Sequence, residues 1–255
     1  ALTNYISTLG WPDDKDGNYE KFWAEGKPMQ VAGKDQVRFQ SIMWQAMLKS
    51  AGLAPTDHVL YHGFITSGGQ KMSKSLGNVI SPFELVNRYG TEATRYLLLR
   101  HVHPFEDTDI TWERLDERYN AGLVNGLGNL TARVLKMSET YLTEQFREEN
   151  LTSEEFKEIY SIHYTEPFNN YNLQEALNVI WLNIKKFDEY IADTEPFKVV
   201  KSDLETGKAH VRFLRKGLYL IAKRLEPIMP ETADTIRKAI LANKKPENLF
   251  SRIGQ

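Results

Sequence analysis

From Thr111 onward the apolar residues recur at steps of three and four, a period that restricts this stretch to helices packed along one face. Leu123, Leu127, Leu130, Val134, Met137 and Tyr141 form one stripe, in a run that Thr111 caps and that extends to about Tyr141. A second stripe, Leu177, Ile180, Trp181, Ile184, Phe187 and Ile191, follows the capping-box sequence Asn172-Leu173-Gln174-Glu175. Thr152-Ser153-Glu154-Glu155 has the same form. Val211, Leu214, Leu218, Ile221 and Leu225 mark a further helix, which Pro227 and Pro230 interrupt before a last one around Ala233 to Leu241. The segment from Thr194 to Gly207 reads as a mobile loop.

The residues before Thr111 have a different character. Met29-Gln30-Val31-Ala32-Gly33 is a short strand bounded by Pro28 and Gly33. Asp35 is placed to cap a helix running to Gly52, with Phe39, Ile42, Met43, Ala46 and Met47 as its apolar face. His58 to Ile65 reads as the next strand. Strand, short loop and helix N-terminus make the βα unit of a parallel sheet, in which ligands sit at the strand carboxyl ends. A glycine-rich segment from Thr66 to Asn78 follows, then the capping box Ser81-Pro82-Phe83-Glu84, a helix stopped at Gly90, and another over Thr91 to Arg100. The expected fold is mainly α with an α/β N-terminal part.

Composition narrows the function classes. The chain has 41% hydrophobic and 26% charged residues, as ordinary globular proteins do. No apolar run approaches the ~20 residues that span a bilayer. There are no cysteines, which removes thiol nucleophiles, disulfides and cysteine-held zinc. A net charge of −2 leaves any polyanion to a local basic patch. Ala1-Leu2-Thr3-Asn4 lacks the features of a signal peptide, and Tyr5-Ile6 reads as the middle of an element, so an upstream part is expected.

Three groups of residues carry possible chemistry. Lys71-Met72-Ser73-Lys74-Ser75 lies between Gly68-Gly69 and Gly77. Two lysines on a glycine-flanked loop suit a phosphate chain whose charge builds as a bond breaks, although a solvated basic loop has the same look. Lys34 and a helix N-terminus attract anionic groups, while Asp35 is read either as a cap or as an acceptor for sugar hydroxyls. Asn125, Asn129 and Arg133 share one helix face and offer directed donors for reading unpaired bases, or else a solvated surface. Glu106, Asp107 and Asp109 lack converging metal-ligand spacing and read as a solvated loop. His101 and His103 read as bystanders without partners.

The intact lysine pentapeptide, with Gly63-Phe64-Ile65 before it and Leu76-Gly77-Asn78-Val79-Ile80 after it, resembles the ATP-binding loop of class I aminoacyl-tRNA synthetases, the methionyl family in particular. Gly33-Lys34-Asp35, Gly128-Asn129-Leu130-Thr131-Ala132-Arg133 and Leu225-Glu226-Pro227-Ile228-Met229-Pro230 extend the resemblance over most of the chain. It implies Lys71, Lys74 and Lys34 as catalytic residues, and Asp35, Ser73 and Ser75 as contacts to ATP or the adenylate. It implies Ala1, Tyr5, Phe39 and Gln40 around the amino acid, and Asn129, Arg133 and Phe197 against the anticodon, with no protein metal ligand. The substrates implied are methionine, ATP and tRNA(Met), with Mg2+ accompanying ATP, in the cytoplasm or an organellar matrix and away from membranes.

The same resemblance divides the chain into the end of a Rossmann-like catalytic domain (1–60), a connective domain with the lysine loop (61–110) and a helical anticodon-binding domain (111–255). Departures from the family pattern are Gln40 for a usual histidine, Gln36 for an aliphatic residue, and Phe197 where tryptophan often follows the proline. No His-Ile-Gly-His-like element occurs. The 255-residue chain alone is therefore expected not to activate methionine. A synthetase for valine or leucine, and a tRNA-binding module without catalysis, are the alternative readings.

Overall fold

The short run Met29–Gly33 forms strand β1, and His58–His62 forms β2 beside it in parallel, with Met29 opposite His58 and Gly33 opposite His62. These elements come from a computed structural model that describes residues 1–148 and 165–254. The capping-box sequence at Thr152 to Glu155 lies outside the described residues. The chain divides into two compact units, Ala1–Thr66 with His103–Thr108, and Ser67–Val102 with Asp109–Gln255.

In the first unit the chain leaves β1 through a 3-10 turn, Lys34–Gln36, and continues as a wide-turned π-helix, Arg38–Trp44, and an α-helix, Gln45–Ser50. The return to β2 makes a parallel βα connection. The apolar face read from the sequence is not the face that is buried. Gln40, Trp44 and Leu48 point inward, whereas Phe39, Ile42, Met43 and Met47 are exposed. The core on this side is built from Ile6 and Trp23, and the Trp44 indole meets the Trp23 ring edge-on at 6.0 Å, so the largest ring decides the face. Gln45 closes the unit: its amide donates to the Gln40 carbonyl and accepts from the Thr56 backbone N–H at 3.0 Å.

The expected strand His58 to Ile65 is two strands. It breaks at Gly63, where a Cβ would stand 2.1 Å from the Glu106 carbonyl carbon. Ile65–Ser67 (β3), Gln70–Lys71 (β4) and Thr108–Ile110 (β5) make a second small sheet in the order β4-β3-β5.

The second unit is helical beyond that sheet. Ser81 and Glu84 form the full capping box of Pro82–Tyr89, and Gly90, at φ +80°, ends it before Thr91–His101. Thr111 accepts from the Arg114 N–H and starts a continuous run of α-helix Trp112–Tyr119, π-helix Asn120–Gly128 and α-helix Asn129–Tyr141. Asn172 accepts from the Glu175 N–H at the head of Leu173–Thr194. The segment expected as a loop is Pro196–Ser202, a helix with proline in its first turn, and Leu204–Leu225 then begins under the Asp203 cap. Each apolar stripe is buried: Leu123, Leu127, Leu130, Leu177, Ile180, Ile184, Phe187, Leu214, Leu218 and Leu225 belong to one core. Among the described residues no helix is long and apolar enough to cross a membrane.

Candidate functional site

The lysine loop lies in the second unit and is shaped by its own backbone. Gly68 and Gly69, at φ +63° and +73°, turn the chain between β3 and β4, and Gly77 at +64° turns it again. The Asn78 side chain bridges these turns. Its oxygen accepts from the Ser73 N–H at 2.9 Å, and its amide donates to the carbonyls of Ser67 and Lys71 at 3.4 and 3.3 Å. The Ser73 hydroxyl lies 3.2 Å from that of Ser75 and accepts from the Leu76 N–H, closing a short 3-10 turn that Lys74 begins. Met72 packs on the helical core while Lys71 and Ser75 are exposed. The loop thus has an anchored apolar residue flanked by cationic and hydroxyl groups.

In the first unit, Lys34 and Asp35 sit in the turn after β1, both exposed. Lys34 Nζ lies 2.7 Å from Asp107 and 5.1 Å from the centroid of the Phe64 ring. Asp107 also accepts from the Phe64 N–H at 2.7 Å. The Lys34 ammonium, and then that N–H, hold its carboxyl below the usual carboxylate range. Asp35 does not cap the helix; among the described residues its carboxylate accepts one bond, at 3.2 Å from the neighbouring Gln36 amide, and its other lone pairs are open for the sugar-acceptor reading.

Tyr5 and Gln40 are brought together: the Gln40 amide donates to the tyrosine hydroxyl at 2.8 Å, and the tyrosine ring lies 5.7 Å from Trp44. The Gln40 carbonyl oxygen and the Trp44 indole N–H are buried with no hydrogen-bond partner among the described residues. Phe39 and Ala1 are exposed.

On the helical face, Asn125 accepts from Arg252 at 2.7 Å, and Asn129 lines a cavity of about 490 Å³ with Gly128, Ala132, Asn248 and Phe250. Arg133 and Phe197 line a second pocket of about 360 Å³ together with Lys136, Met137, Ile191 and Lys245. Phe197 is thus half-exposed at a cationic pocket and does not plug the core. Arg133 donates to Asp188 at 2.8 Å.

Several residues escaped the sequence reading. Asn78 carried a visible signal, since an asparagine after a glycine turn bonds nearby backbone. The pairings of Asp107 and Asp188 carried none, because their partners are distant in the chain, and neither did the meeting of Lys136 and Lys245 in one pocket. Two expectations are corrected. Glu106, Asp107 and Asp109 are not merely solvated: Asp107 pairs with Lys34, and Asp109 accepts from the Gly69 N–H at 2.7 Å and pairs with Arg114. The histidines are not without partners: His101 Nε2 lies 3.1 Å from the Tyr96 hydroxyl, and His103 Nδ1 accepts from the Glu106 N–H at 2.9 Å.

The family described as tRNA synthetases class I (M) matches residues 1–135, more than half of the chain. The chain belongs to this family. Curated relatives include methionine–tRNA ligase of Fusobacterium nucleatum, 35% identical over 98% of this chain and 40% of its own length. The methionine–tRNA ligase of Thermotoga maritima is 36% identical over 96% of this chain and 40% of its own. Among solved structures, Mycobacterium tuberculosis methionyl-tRNA synthetase in complex with methionyl-adenylate is similar with a TM-score of 0.79 and 28% identity, covering 98% of this chain and 52% of that one. This class I (M) synthetase chain thus spans about two-fifths of the length of the curated relatives it matches.

Proposed function

We propose that the complete polypeptide joins methionine to tRNA(Met) with ATP. The observation that carries this is the intact Lys71-Met72-Ser73-Lys74-Ser75 loop, tied by Asn78, in a member of the class I (M) synthetases. Methionine's carboxylate attacks the α-phosphorus of ATP, the α–β bridge breaks, and pyrophosphate leaves. A hydroxyl at the 3′ end of the tRNA then attacks the carbonyl of the adenylate and releases AMP. Lys71 and Lys74 counter the charge that grows on the departing pyrophosphate, with Ser73 and Ser75 as hydroxyl contacts. Lys34 meets phosphate, and Asp35 accepts from the ribose hydroxyls. Lys34 has to exchange Asp107 for its anion, which an exposed ion pair permits at little cost.

Ala1, Tyr5, Phe39 and Gln40 surround the amino acid in this reading. The Tyr5–Gln40 hydrogen bond supports it, because it fixes a buried amide beside an aromatic ring where a thioether would lie. Asn129, Arg133 and Phe197 meet the anticodon in this reading; for Arg133 and Phe197 it is supported by the cationic pocket around an accessible ring, the combination that stacks and holds an unpaired base, while Asn129 lines the neighbouring stretch of the same helix. Magnesium arrives with the triphosphate. Among the described residues no cluster of three or more His, Asp or Glu side chains is arranged to hold a metal ion. Residues 1–60, 61–110 and 111–255 are assigned to the catalytic, connective and anticodon-binding parts, working in the cytoplasm or an organellar matrix.

The test is aminoacylation by the complete polypeptide of transcripts of tRNA(Met), tRNA(Val) and tRNA(Leu), each with methionine, valine and leucine. Methionine on tRNA(Met) is the expected product. Charging with valine or leucine instead, or tight tRNA binding without any charging, overturns the proposal.

A further inference from the structure

The Arg133–Asp188 pair joins two helices at a place where each partner faces a different hollow. Arg133 lines the 360 Å³ pocket with Phe197, Lys136 and Lys245, whereas Asp188 lines a separate cavity of about 490 Å³ with Tyr96, Arg100 and Trp181. Their side chains meet at 2.8 Å, across 55 residues of sequence, and both are partly shielded from solvent. Burial pushes the Asp188 carboxyl up and Arg133 opposes that rise, so the carboxylate and the guanidinium depend on each other.

Among the described residues, one Nη1–H of Arg133 is taken. The guanidinium is planar and carries further N–H donors, and among the described residues no other acceptor meets them. An arginine bound at one corner has its plane and its free edge fixed; an arginine with no such partner samples many rotamers on its long stem. A fixed edge of parallel donors accepts a base that presents a pair of adjacent acceptors, and it leaves a base with a donor there poorly matched.

We propose that Asp188 is the positioning residue for Arg133, holding its guanidinium so that the free edge selects a base with adjacent acceptors at one position of the tRNA anticodon. The inference rests on the reading of Arg133 as an anticodon contact. Asp188 itself touches no RNA. Its loss therefore weakens discrimination between bases, which a purely structural ion pair does not do.

The experiment compares the complete polypeptide with its Asp188→Ala, Asp188→Asn, Arg133→Ala and Asp188→Ala/Arg133→Ala variants. For each, kcat and KM are measured with tRNA(Met) transcript and with transcripts altered singly at each anticodon position. Asp188→Ala raises the KM for tRNA with little change in kcat, and lowers discrimination at one anticodon position about tenfold. Asp188→Asn restores part of it, since its amide oxygen still accepts from Nη1. The double variant discriminates no worse than Arg133→Ala. If Asp188→Ala does not fold, Asp188→Asn carries the test alone, with an intermediate loss expected. Wild-type discrimination in the Asp188 variants, beside a loss in Arg133→Ala, overturns this inference and leaves the anticodon reading standing. Full discrimination in Arg133→Ala overturns both.

Discussion

Burial, aided by the nearby charges of Arg100 and Arg118, drives the His101 imidazole down from 6.5 to about 3. Its ring stands edge-on to Tyr96 at 5.4 Å, with Nε2 beside the tyrosine hydroxyl. The native ring therefore stays neutral where the unfolded chain's histidine takes up a proton. Below pH 6.5 the unfolded state binds that extra proton, so stability falls as pH drops toward 3. Between pH 7 and 5, where most carboxylates remain ionised, the thermal midpoint of the native chain is expected to fall more steeply than that of His101→Gln. Parallel curves for the two would contradict this. The sequence shows His101 only as a polar residue near a helix end, because its aromatic and cationic neighbours come together through folding. Gly217 is similarly opaque in sequence: a Cβ there would stand 2.0 Å from the Phe187 ring, and only the packing of two helices reveals why the position is small.

Helices and strands were legible where one period or one cap decides them. The stripes on Leu173–Thr194 and Leu204–Leu225, the Ser81 capping box and strand β1 all follow from neighbours within a few residues. The elements misjudged were those settled from afar. The face of the Arg38–Ser50 helical segment is chosen by Trp23 and Ile6, against its own larger apolar stripe. The head of Pro230–Leu241 has no cap of its own; the Glu92 carboxylate accepts from the N–H groups of Glu231 and Thr232 at 2.6 and 2.8 Å. Arg95, on the same helix as Glu92, donates to the carbonyls of Ile228 and Pro227, so the proline break is held at both ends by Thr91–His101. Glu92→Ala is expected to cost about 1 kcal/mol, as loss of a local cap does. Urea unfolding checks it, and a change below a few tenths of a kcal/mol would show that solvent satisfies those N–H groups equally well.

At the scale of the molecule, a net charge of −2 and an ordinary composition say little, and the family is carried by a handful of short segments. The lysine loop was readable because its chemistry is local: five consecutive residues supply both the cations and the hydroxyls. The face proposed to meet the anticodon was readable only in part, since Arg133 and Phe197 share a pocket through helix packing and Asp188 lies 55 residues from its arginine. What unites these parts is the claim that two lysines on a glycine-hinged loop stabilise pyrophosphate as it leaves. Methionine-dependent exchange of radioactive pyrophosphate into ATP reports that step without tRNA. In the complete polypeptide, Lys74→Ala is expected to slow exchange by about 10²- to 10³-fold, the loss typical of removing one charge-stabilising donor from a transition state. Exchange at the wild-type rate in that variant would contradict the account.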